Sequence, residues 1–125
     1  MRATLLTWNL AADHLGRLRY LCLRLGVQLR TVTAAETALP IDALLKQAPA
    51  PASAEALPFD EPMLLMCGFS PAQFHGLLDR WAEIGLPPVP LKAVLTAQNR
   101  RWTGEALHAA LAEERAQTSA SGSKS

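Results

Sequence analysis

The chain has 125 residues, half of them hydrophobic and 18% charged, a composition suited to one domain with a packed core. Net charge is +1, and residues 1–50 carry six basic and three acidic groups against six and eight in residues 51–125. Neither half is basic enough for charge alone to imply nucleic acid or an anionic membrane surface.

Residues 3–9 (Ala-Thr-Leu-Leu-Thr-Trp-Asn) read as a first strand. Leu15, Leu18, Cys22 and Leu25 then recur at helical spacing, which predicts a helix over about 12–25 that Gly26 stops. Residues 27–34 alternate, with Val27 and Leu29 on one face and Gln28, Arg30 and Val32 on the other, as in a half-buried strand. A short helix is expected from Pro40 to about Gln47, because proline suits a first helical turn. The Pro/Ala-rich stretch 48–61 has no periodicity and reads as a connector.

Met63–Cys67 is a continuous apolar run, the pattern of a buried central strand. The helix after it opens on a strong local signal. Ser70 is placed to cap, Pro71 to occupy the first turn, Gln73 to complete a capping box, and Phe69 and Phe74 to staple the entry. Phe74, Leu77, Leu78, Trp81 and Ile84 form its apolar stripe up to Gly85. Val89–Leu95 reads as a fourth strand, with Lys92 and Val94 opposite Val89, Leu91, Ala93 and Leu95. A last helix is expected over about 104–116, followed by a Ser-rich disordered tail over 117–125.

The two halves resemble each other. An offset of 59 matches Leu5 with Leu64, Leu6 with Leu65, Leu18 with Leu77 and Gly26 with Gly85. After three inserted residues an offset of 62 pairs Val27 with Val89, Leu29 with Leu91 and Arg30 with Lys92, and one further residue aligns Asp42-Ala43-Leu44 with Glu105-Ala106-Leu107. A duplicated β-α-β-α unit is the expectation, with repeats at 1–47 and 62–116 in a single domain over 1–116. The polar positions Gln28, Arg30 and Lys92 favour an α+β, two-layer ferredoxin-like sandwich: a mostly antiparallel four-stranded sheet with helices mainly on one face. A small parallel α/β fold is the alternative. Met63–Met66 is apolar on both faces, so the open face needs a cover from the final helix or a second subunit.

The stretch Met63-Leu-Leu-Met-Cys-Gly-Phe-Ser-Pro71, with Leu91-Lys-Ala-Val-Leu-Thr96, Asn99 and Trp102-Thr103, resembles the uncharacterised prokaryotic family called domain of unknown function 3783. The resemblance covers the second half and implies no catalytic residues. The first half departs from the pattern, with Asn9-Leu10-Ala11-Ala12 in place of Gly68-Phe69-Ser70-Pro71.

Candidate chemistry concentrates at Thr96–Thr103. Asn99, Arg100, Arg101 and Trp102 place guanidiniums and an indole before a helix start and, with Lys92, could take a protein partner or a small anionic ligand. The competing reading is structural: Thr103 caps the helix, Trp102 staples onto Leu107 and Asn99 makes a turn. Cys67, at a strand end, would be a reactive thiol if exposed beside a cation. Met63 and Met66 alternate across a strand and so read as core, not metal ligands.

Nothing implies a cofactor or metal. His14, His75 and His108 lack a partner at ligand spacing, and phosphate-loop, nucleophile-elbow and zincin motifs are missing. Arg30, Lys92, Arg100 and Arg101 would make at most a weak nucleic-acid patch, without stacking aromatics. Cys22 and Cys67 form no C-x-x-C, Asn9, Asp13 and His14 interrupt any signal peptide, and no run reaches the ~20 apolar residues of a membrane span. A bacterial cytoplasmic location follows. The expected function is a small non-catalytic binding or interaction module that dimerises through its sheet or binds at the Asn99–Trp102 corner; the alternatives are a Cys67-dependent enzyme and a weak nucleic-acid binder.

Overall fold

The structure is a computed structural model that describes residues 2–51 and 54–122. Among them, strands β1 (Thr4–Trp8), β2 (Gln28–Thr31), β3 (Met63–Cys67) and β4 (Leu91–Val94) form one open sheet in the order β2-β1-β3-β4. Five helices surround it: α1 (Ala12–Leu25), α2 (Ala34–Thr37), α3 (Ile41–Lys46), α4 (Pro71–Trp81) and α5 (Gly104–Gly122). The tail expected from residue 117 is helical as far as Gly122, and its last three residues lie outside the described ones.

Local chemistry explains most boundaries. Gly26 ends α1 at φ 73°, and its amide returns to the carbonyls of Cys22 and Leu23, a left-handed cap that suits a residue without Cβ. Ser70 and Gln73 form the expected reciprocal box at the start of α4: Gln73 N donates to Ser70 Oγ at 3.1 Å, and Ser70 N donates to Gln73 Oε1 at 2.9 Å. A second box, Thr33-Ala-Ala-Glu36, starts α2, a helix the periodicity analysis does not anticipate. Helix α4 stops at Trp81, earlier than the Gly85 boundary expected, and residues 82–85 continue as turns to Gly85 at φ 80°.

The mixed α/β class and the four-stranded sheet are as expected; the sense of the ladders differs. β1 pairs with β2 in parallel and β3 with β4 in parallel, and only the central β1–β3 ladder is antiparallel. Helices also cover both faces rather than mainly one. Leu5, Leu64 and Met66 face α1 and α4, whose Leu18, Cys22 and Leu77 complete the first core. Leu6, Trp8, Met63, Leu65 and Cys67 point the other way, onto Ile41 and Leu44 of α3 and Leu107 of α5. The final helix therefore supplies the cover that Met63–Met66 requires. Central strands flanked on both sides and covered on both faces are buried at every position, which is why β3 reads as an unbroken apolar segment and why Thr4 and Thr7 of β1 are buried along with its apolar residues.

Candidate functional site

The corner before α5 folds back onto the domain. Asn99 is buried and fully engaged: its Oδ1 accepts from Thr96 N at 2.7 Å, its Nδ2 donates to Val94 O at 3.0 Å, and its amide donates to Thr96 Oγ1 at 3.0 Å. Thr103 Oγ1 caps α5 by accepting from Ala106 N at 3.1 Å. Trp102 packs on the α3/α5 core, and its carbonyl accepts from Ile41 N at 2.8 Å. Arg100 reaches across to Asp42 Oδ1 at 3.2 Å. These bonds stitch the β4–α5 connection to α3, leaving Arg101 as the corner's exposed cation.

Cys67 does not meet the conditions for a reactive thiol. It is 0% exposed, and burial pushes its thiol up to about 12 despite the opposing influence of Arg100. A thiol of that kind is protonated and shielded at neutral pH. Cys22 behaves alike, raised by burial to about 11.

The expected cationic patch is dispersed. Register pairs Leu5 with Leu29 and Leu64 with Lys92, so Leu29, and not Arg30, stands where Lys92 stands. A one-residue slip moves a side chain to the opposite face. Arg30 thus lies on the α3/α5 face and Lys92 on the α1/α4 face.

Arg30 is 5% exposed. Its Nη2 meets Glu36 Oε2 at 2.5 Å, and its Nη1 donates to the carbonyls of Gln47, at 2.9 Å, and of Leu44. Glu36 also accepts from the Thr33 amide at 3.1 Å and the Ala50 amide at 3.4 Å. Burial alone would raise this carboxyl, but the Thr33 amide and Arg30 prevail and hold it below the usual carboxylate range. This buried network joins β2, α2, α3 and the connector, and it keeps the Arg30 guanidinium off the surface. The Thr-x-x-Glu spacing was the signal that could have located Glu36; nothing local marks its pairing with Arg30.

An apolar pocket of about 270 Å³ lies under α4. Leu64 and Met66 of β3 form its floor, Leu77, Leu78 and Trp81 of α4 its roof, and the Leu86–Val89 segment closes one end. Trp81 is oriented by its indole N–H, which donates to Pro87 O at 2.7 Å. Lys92 of edge strand β4 stands on the wall, its ammonium donating to Val89 O at 3.1 Å. The three-residue insertion after Gly85 is visible in the sequence; that it opens a pocket is not, because periodicity gives the buried face of α4 without its distance from the sheet.

A second, more polar groove of about 580 Å³ follows the β2 edge between α1 and the connector, lined by Leu15, Arg19, Leu29, Thr31, Pro49 and Leu57 among others. Among the described residues no helix is long and apolar enough to cross a membrane, and no cluster of three or more His, Cys, Asp or Glu residues could hold a metal.

Comparison with curated proteins finds no match, and comparison with solved structures finds none either. The pocket under α4 lies wholly in the part of the chain that is similar to a known family: residues 62–117 match the model of a domain of unknown function, DUF3783.

Proposed function

We propose that this protein is a non-catalytic binding module whose site is the apolar pocket under α4. The observation that carries the reading is the pocket itself: ten lining residues, nine of them without a charged or ionisable side chain, arranged around about 270 Å³. Lys92 is the one ionisable group among those ten, with no second acid or base beside it in the lining to form a catalytic pair, so the lining favours retention of a ligand over its conversion. Calorimetric titration with octanol tests this. The native chain is expected to bind it, and Ala82→Phe, which places a ring among the lining residues, is expected to abolish binding while the fold persists by circular dichroism. A folded native chain that takes up no octanol would end the proposal.

A second reading keeps dimerisation, moved from the sheet face to an edge. Val94 is 46% exposed on β4, which among the described residues pairs on one side, with β3. An open edge can add a strand from a second copy. Light scattering that gives a monomer at every concentration would remove it.

We infer further that the two β-α-β halves, in one domain, arose by duplication. The β1–β3 ladder supports this, because it pairs Leu6 with Leu65, the two residues that the offset of 59 matches, and is symmetric about them.

A further inference from the structure

We infer that the ligand of this pocket is a small monocarboxylate with an apolar body, its head held by Lys92; the inference rests on the pocket reading above. Lys92 stands on the α1/α4 side of edge strand β4, beside the buried Leu64, with its side chain exposed at the rim of the pocket. The ammonium is steered by one bond, to Val89 O at 3.1 Å. An ammonium has three donors, so two remain for a ligand.

Four cations stand beside carboxylates, Arg30 at Glu36, Arg100 and Lys46 at Asp42, and Arg115 at Glu61, and none of these four lines the pocket. Lys92 has no carboxylate within ion-pair distance among the described residues. One uncompensated positive charge on an otherwise apolar wall complements a single negative charge. A phosphate dianion would leave one charge unmatched, since no second cation lines the pocket. The volume falls just under the ~300–1,000 Å³ of pockets for drug-sized ligands, which suits a medium-length alkyl chain or one aromatic ring.

The test compares octanoate with octanol, on the native chain, Lys92→Met and Ala82→Phe, at pH 7.5, with amide chemical shifts to locate binding. Octanoate is expected to bind the native chain at Leu77, Trp81 and Val89. Lys92→Met should weaken octanoate about tenfold or more while leaving octanol within about threefold, because only the carboxylate uses the charge-assisted bond. If octanol binds but octanoate binds no better, or if Lys92→Met leaves octanoate unchanged, the carboxylate assignment is overturned and the pocket reading stands. If neither probe binds, or both shift only β2-edge resonances, the pocket reading falls and takes the assignment with it.

Discussion

The two edges of the sheet each carry a cation within one register position of the other, and they treat it in opposite ways. On β2, Arg30 turns to the α3/α5 face, where Glu36 and two carbonyls surround it and leave it 5% exposed. On β4, Lys92 turns to the α1/α4 face, at the wall of an apolar pocket, with a single carbonyl as partner. At the position matching Lys92 the first half has Leu29, which packs on the core beneath α1. Local context thus separates a cation that joins elements from one that does not: the first is desolvated and answered by a carboxylate, the second is neither.

Helix length contributes to the same contrast. Helix α1 runs to Leu25 and packs closely on α4, where the Cβ of any residue replacing Gly76 would meet Leu25 Cδ2 at 2.7 Å. Helix α4 ends at Trp81, and the turns to Gly85 with Leu86–Val89 take the chain around the pocket instead of filling it.

The sharpest way to break this comparison is to remove the partner of Arg30. Glu36→Ala strands a buried guanidinium and a helix cap, and a cost of about 3–5 kcal/mol is expected in urea denaturation. A cost under about 1 kcal/mol would show Arg30 to be no more structural than Lys92. The acid limb of stability gives the same information. The folded carboxyl of Glu36 lies below its unfolded value, so its contribution is complete above the unfolded pKa of about 4.3 and is lost as pH falls through the folded one. Glu36→Gln should flatten that limb. Glu61, held low chiefly by its bond to Arg115 on the exposed surface, adds a part that salt screens.

A smaller effect tests how tightly the α3/α5 face is sealed. The Cβ of an alanine at 104 would lie 2.9 Å from Trp8 Nε1 and 3.1 Å from its ring. Trp8 is fully buried and cannot swing aside, so Gly104→Ala should cost about 1–3 kcal/mol despite alanine's better helix propensity. A neutral or stabilising outcome in thermal denaturation would mean that α5 sits looser than β1 requires.

The smallest effect is expected at Lys92. Lys92→Leu makes the second half resemble the first at this position, and stability should stay within about 0.5 kcal/mol of native. A loss comparable to that of Glu36→Ala would give Lys92 a structural role and erase the distinction between the edges.

Much of the fold was legible residue by residue. The span of α1, the apolar run of β3 and the box at Ser70–Gln73 follow from periodicity, hydrophobicity and side-chain capping, which act within a few residues. Thr33-Ala-Ala-Glu36 is an equally local signal, a capping box that starts a helix of a single turn with no apolar periodicity to mark it. The corner at Asn99–Thr103 was legible as a choice between two readings. The hydrogen bonds of Asn99 to Thr96 and Val94, and of Trp102 to Ile41, favour the structural one.

Local pattern alone established four strands, the alternation of side chains along them and the capped start of α4, because each depends on neighbours along the chain. Ladder sense, the second helical layer, the burial of Arg30 and the pocket beside Lys92 were set only when distant segments packed. Alternation tells that Arg30 and Val32 share a face; it does not tell that α2 and α3 will cover that face and bring a carboxylate. Pairing energies between segments separated by tens of residues carry that information, and they exist only in the assembled fold.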